Sequence, residues 1–187
     1  MRFANDWTPQ DVADGARLVL QLELEAAAQP PCIDALCRWW HQQPWRTAYL
    51  TASAPFLENI SMLENFWLPL AWRRATPLAQ VLSRATRHLP ALGWNQQDLQ
   101  RLLACRPGDL PPQVLARAVL LRAALLDPAW VLIEASWFER SLLPPAQRFE
   151  LTEQLLGASR WLLVGLQPEM PLPAPVAWHT IALEAVG

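Results

Sequence analysis

Glu134 closes an apolar run, Trp130-Val131-Leu132-Ile133. A carboxylate at the end of a buried strand can act as a general base. It can equally be a structural group, paired with an arginine or with water. Ala135 follows, so no second carboxylate stands beside it, and the structural role is the preferred reading. His41, His88 and His179 are scattered and read as surface or half-buried residues. Cys32 and Cys37 lie five apart, on different faces of a helix, and read as small core residues. With Cys105 they make an odd number and no CxxC spacing, so no zinc site or disulfide framework is expected. No nucleophile-elbow motif supports a Ser–His–Asp or Cys–His site.

All 15 basic side chains are arginine. Without lysine, neither a Schiff base nor the phosphate-binding lysine of a P-loop is available. The six glycines, at 15, 93, 108, 157, 165 and 187, are too dispersed to form a phosphate-cradling loop. Seventeen acids give a net charge of -2, with no basic excess to attract nucleic acid. Hydrophobic residues make up 52% of the chain, yet no run reaches the roughly 20 apolar residues of a membrane span. The best candidate, Val114 to Ile133, is broken by Arg117, Arg122 and Asp127. The first residues lack the apolar core of a signal peptide. Such a chain is expected in a reducing cytoplasm, with part of its apolar surface meant for a partner.

The elements that would carry these residues alternate between strand and helix. Gly15–Leu24, Thr47–Thr51, Ala129–Ile133, Arg160–Gly165 and Ala177–Leu183 read as strands. Helices are expected over Pro31–Trp40, Pro55–Ala75, Pro77–Leu89, Asn95–Cys105, Pro112–Leu126 and Pro144–Leu156. Asn95 caps one start, Gly93 marks one stop, and Asp127-Pro128 breaks the longest helix. The pattern predicts an α/β fold with a mostly parallel sheet, as one domain over 1–187 with a helical subdomain over about 56–126.

The ordered segments from Arg106 to Trp137 resemble the core of an ABC-transporter ATP-binding subunit, a P-loop NTPase. Arg106-Pro107-Gly108-Asp109-Leu110 stands where that family has the turn and leading Leu of its signature. Arg117 and Arg122 fall at the spacing of two helix arginines, and Asp127-Pro128 precedes a Walker B-like strand. Met62-Leu63-Glu64-Asn65-Phe66-Trp67 is similar to the segment after the Q-loop. Leu89–Trp94, Gly15–Leu20, Leu162–Val164 and Ile181–Gly187 resemble further segments, so the likeness covers nearly the whole chain from Gly15. It implies an ABC-ATPase-like fold.

The nucleotide motifs themselves depart from the family. Glu23 to Pro31, in place of the phosphate loop, contains no Gly, Lys, Ser or Thr and carries two acids. Ala52 and Ser53 occupy the Q-loop region. The signature Leu-Ser-Gly-Gly-Gln becomes Leu110-Pro111-Pro112-Gln113, in which two prolines remove two N–H donors. Glu134 replaces the magnesium-side Asp, Ala135 replaces the general base, and the switch His position falls at about Leu166. Phosphoryl transfer depends on positioning and charge stabilisation. The resemblance therefore implies a pseudo-ATPase with no catalytic residue, binding neither ATP nor Mg²⁺ in the usual way.

The family's groove for a permease coupling helix would lie near Phe56, Leu57, Met62, Leu63, Glu64 and Trp67. Trp39, Trp40, Trp45, Trp67, Trp72 and Trp94 cluster in the first half, as core filling or as interface anchors. The expected function is a structural or regulatory partner of a membrane permease and an ATP-competent cassette subunit, or a homodimer. Its expected place is peripheral, on the cytoplasmic face of the membrane. Two alternatives remain: a free-standing interaction protein on a decayed cassette, and a nucleotide-binding ATPase with an unusual site.

Overall fold

A computed structural model describes residues 2–3, 12–21, 36, 38–40, 42, 46–53, 56–165 and 177–184. Six strands, β1 (Arg2–Phe3), β2 (Arg17–Gln21), β3 (Thr47–Leu50), β4 (Trp130–Glu134), β5 (Arg160–Val164) and β6 (His179–Glu184), form one sheet. Their order is β1-β6-β2-β5-β4-β3. All pairings from β6 to β3 are parallel, and only the two-residue β1 runs antiparallel, against β6. The mostly parallel sheet expected from the sequence is present. The β1 pairing was not anticipated, because two residues carry no periodicity.

The central strands are apolar throughout because both faces are covered. Val19, Ala48, Leu50, Val131, Ile133, Trp161 and Leu163 point to one face and join its helical layer. Leu18, Leu20, Trp130, Leu132, Leu162 and Val164 point to the other, where Leu36 and Trp40 cover them. Alternation with period two thus divides each strand between two cores. Trp40 meets Trp130 edge to face, with ring centroids 5.2 Å apart.

Six helices carry the larger core: α1 (Met62–Arg74), α2 (Leu78–Leu92), α3 (Gln96–Ala104), α4 (Pro112–Leu125), α5 (Ala135–Arg140) and α6 (Pro145–Leu156). Ser61 and Glu64 form a reciprocal capping box at α1, and Asn95 and Asp98 form one at α3. Gly93 ends α2 at φ 66°, a left-handed position that suits glycine. Val81, Ala85, Leu89 and Leu92 make the buried stripe of α2. The central α4 is buried on most sides, with alanines at 116, 118, 123 and 124 allowing close approach of its neighbours.

Two sequence expectations change here. The helix expected over Pro55–Ala75 begins only at Met62, because the Ser61 cap fixes its start. Phe56 reaches the core from outside the helix and packs edge to face on Phe66. The short α5 directly after β4 was not anticipated. It exists because Trp137 is buried and its indole N–H donates to the Thr152 hydroxyl of α6 at 3.0 Å.

Candidate functional site

In parallel α/β sheets, ligands bind beyond the carboxyl ends of the strands. At that edge, β3 lies against β4 with Leu50 opposite Ile133. Thr51 therefore follows β3 beside Glu134. Its hydroxyl donates to Glu134 Oε2 at 2.6 Å, and the Tyr49 hydroxyl donates to the same oxygen at 3.1 Å. The sequence reading paired this carboxylate with arginine or water. The structure pairs it with two hydroxyls, one from β3 and one from the residue after it, because parallel register brings the end of β3 beside it.

Ala135 and Ser136 begin α5 and are buried. The Ala52 backbone N–H donates to Ser136 Oγ at 3.3 Å, which fastens the loop after β3 to α5. Ser53 is exposed. Thus Ala52, Glu134 and Ala135 come together at the carboxyl end of the sheet, through hydrogen bonds of Thr51 and Ser136 that the sequence does not show.

At the start of α4, Leu110 packs partly against the core, while Pro111, Pro112 and Gln113 are exposed. Pro111 occupies the cap position and Pro112 the first helical position. Neither carries an N–H, although proline is well suited to a helix start. The N–H groups of Val114 and Leu115 both donate to the Pro111 carbonyl. The first turn therefore offers outward only the Gln113 N–H. Among the described residues, no hydrogen bond or ion pair joins this turn to Glu134. The region 23–31 and Leu166 lie outside the described residues, as do Cys32, Cys37, His41 and Trp45.

The two arginines of α4 brace the helical layer. Arg117 donates to the Leu92 carbonyl at the end of α2 and to Gln147 Oε1 of α6. The Arg122 guanidinium lies 4.6 Å from the Phe56 ring centroid. Burial lowers its pKa to about 10, which leaves it cationic at neutral pH.

The remaining candidates divide between inside and outside. Met62 is fully buried and Phe56 nearly so. Leu63 is half-buried, and Trp67 is half-buried with its indole N–H on the Thr76 carbonyl. Glu64 is exposed, and its hydrogen bonds to Ser61 hold its carboxyl below the usual range. Leu57 is 61% exposed, and Trp72, further along α1, is 90% exposed. Leu68, one turn before Trp72, also reaches solvent. Among the described residues, no helix is long and apolar enough to cross a membrane, and no group of three His, Cys, Asp or Glu converges as a metal cage.

A second feature lies at the opposite, amino-terminal end of the parallel strands. A cleft of about 540 Å³ there is lined by Arg46, Arg84, Arg87, His88, Asp127 and others. These residues come from separate segments of the chain, so their convergence had no signal in the sequence.

No protein-family model and no curated protein matches the chain. Solved structures do. An ATP-binding subunit of an ABC transporter superposes with a TM-score of 0.57 at 17% identity, over 82% of this chain and 70% of that one. A bacterial ABC transporter cassette, solved as a dimer, gives a TM-score of 0.55 at 14% identity, over 82% of this chain and 76% of that one. At these identities the likeness concerns the fold. The chain has an ABC-ATPase-like fold, as the order of its sequence segments implied.

Proposed function

We propose that this cassette-like chain is a pseudo-ATPase: a catalytically inactive subunit that serves a membrane permease and an ATP-competent cassette as structural or regulatory partner. The observation that carries this reading is the state of Glu134. Its Oε2 accepts from Thr51 and Tyr49, and the neighbouring position is the alanine Ala135. Two hydroxyl donors fasten Oε2 to the neighbouring segment, which supports a structural role for Glu134, and no second carboxylate stands beside it to serve as general base. The proline pair at the start of α4 adds to this, since it offers too few N–H groups to cradle a γ-phosphate. These residues do not fit a magnesium nucleotide held in the family's manner, so no hydrolytic step is assigned to them. Packing interfaces do not depend on nucleotide chemistry, and the fold's helical layer is intact around Arg117 and Arg122.

The partner surface fits the exposed apolar residues Leu57, Leu68 and Trp72, with Leu63, Glu64 and Trp67 beside them. Location on the cytoplasmic face of the membrane follows from this reading, through the permease, and so does pairing with a second cassette or a second copy.

Calorimetric titration with ATP and Mg²⁺ tests the proposal, together with co-purification of membrane subunits. No saturable binding at millimolar ATP, with a permease recovered, is the expected outcome. Low-micromolar binding would instead favour a nucleotide site of unusual construction. Recovery of soluble proteins alone would favour a free-standing interaction protein.

A further inference from the structure

The cleft at the amino-terminal end of the strands lies away from the end where cassette motifs stand. Arg46 precedes β3, Asp127 precedes β4 and Ser159 precedes β5, while Arg84, Arg87 and His88 come from α2. The cleft holds about 540 Å³, inside the range of roughly 300–1,000 Å³ typical of small-ligand pockets.

Its charge is unbalanced in a chain whose net charge is -2. Asp127 is taken by Arg46 at 3.1 Å, and Asp14 by Arg160 at 2.8 Å. Both acids of the cleft are thus already paired. Arg84 reaches only the Leu125 carbonyl, at 3.4 Å, and Arg87 makes no hydrogen bond or ion pair among the described residues. The two stand three residues apart on α2, hence on neighbouring positions of one helix face. Half-buried His88 lies among them, close enough to feel the charges of both Arg87 and Asp127. Half-buried Leu155 and exposed Ala158 supply an apolar wall.

We propose that this cleft binds a small organic anion, whose phosphate or carboxylate group is taken up by Arg84 and Arg87 while its apolar body lies along Leu155 and Ala158. Planar guanidinium groups suit both oxyanions, because their donors match the spacing of two oxygens. Arg46 is held back by Asp127, and His88 offers a ring nitrogen at the edge of the site. The site is separate from the cassette motifs, so it stands or falls independently of ATP binding.

The test is calorimetric titration of the whole protein with phenyl phosphate, benzoate and benzyl alcohol. Saturable binding of either anion is expected, weakening with added salt, with none for the uncharged alcohol. Binding of phenyl phosphate alone would assign the anion as a phosphate, and binding of both would admit carboxylates. Arg84→Gln and Arg87→Gln should each weaken binding by about tenfold or more, the scale of a charged hydrogen bond. Arg101→Gln, on the exposed side of α3, should leave it unchanged. Arg87 is exposed, so its variant should fold normally, as a thermal melt would verify. Absence of saturation at millimolar probe, equal binding of the alcohol, or equal weakening by Arg101→Gln would overturn the proposal.

Discussion

The Thr51 hydroxyl donates to Glu134 Oε2 at 2.6 Å, tying the last residue of β4 to the segment that leaves β3. The expected consequence is structural. Thr51→Val should lower unfolding stability by about 1–2 kcal/mol, the cost of leaving a partly buried acceptor short of its partner. Glu134→Gln retains an acceptor oxygen and should cost less. Neither substitution should alter phosphate release from Mg·ATP. Urea denaturation reads the first effect. A measurable hydrolysis rate that disappears in Glu134→Gln would contradict the assigned role.

The frame of this fold was legible because its strands are buried on both faces. Trp130–Ile133 and Trp161–Val164 are apolar without interruption, and their place in an alternation of strands with helices points to a sheet covered on both faces. Asn95 and Gly93 were legible as punctuation, since each uses a backbone property of its own residue type. The start of α1 was misplaced because Pro55–Ile60 also carries apolar residues, and only the Ser61–Glu64 pairing decides where the helix begins. The site was less legible than the frame. Glu134 could be picked out at its strand end, but its partners Tyr49 and Thr51 lie 85 and 83 residues away. The arginines of the cleft likewise meet only through tertiary packing.

Arg17 should prove a stability hinge point. It is 5% exposed and donates to both oxygens of Glu153 and to the carbonyls of Gly157 and Ser159, with its guanidinium 3.8 Å from the Trp161 ring centroid. Arg17→Ala should cost about 2–4 kcal/mol, because buried carbonyls lose their donor while Glu153, 39% exposed, turns to solvent. Arg17→Lys should recover little of this, since an ammonium cannot span several acceptors in one plane. Chemical denaturation of the two variants decides the point, and full rescue by lysine would refute it.

Trp72 is expected to matter for binding and not for folding. With its side chain 90% exposed on α1, Trp72→Ala should change stability by no more than about 0.5 kcal/mol. If the α1 face docks a partner, the same substitution should weaken association by about 2 kcal/mol or more, as buried tryptophan anchors do. Thermal melts and quantitative co-purification with the permease separate the two effects. A large loss of stability would show that Trp72 is a core residue after all.

His88 should make the stability of the protein acid-sensitive. Burial, followed by the nearby charge of Arg87, lowers its pKa below the ordinary value of 6.5, while Asp127 acts weakly the other way. The folded state therefore binds this proton less readily than the unfolded state. Its contribution to stability is fully present above pH 6.5, and is lost as the pH falls from there through the folded pKa. His88→Gln, which has no proton to gain, should flatten this part of the stability profile without affecting the plateau above neutrality in the same way. An anion bound beside Arg84 and Arg87 would offset their charge and raise the His88 pKa again. The pH dependence of wild-type stability should thus shrink when benzoate, whose carboxylate keeps its charge across this range, saturates the cleft. Denaturation midpoints between pH 5 and 8, the range over which histidine titrates, measured with and without the probe, would read both effects. An unchanged slope in His88→Gln would assign the acid sensitivity to other groups.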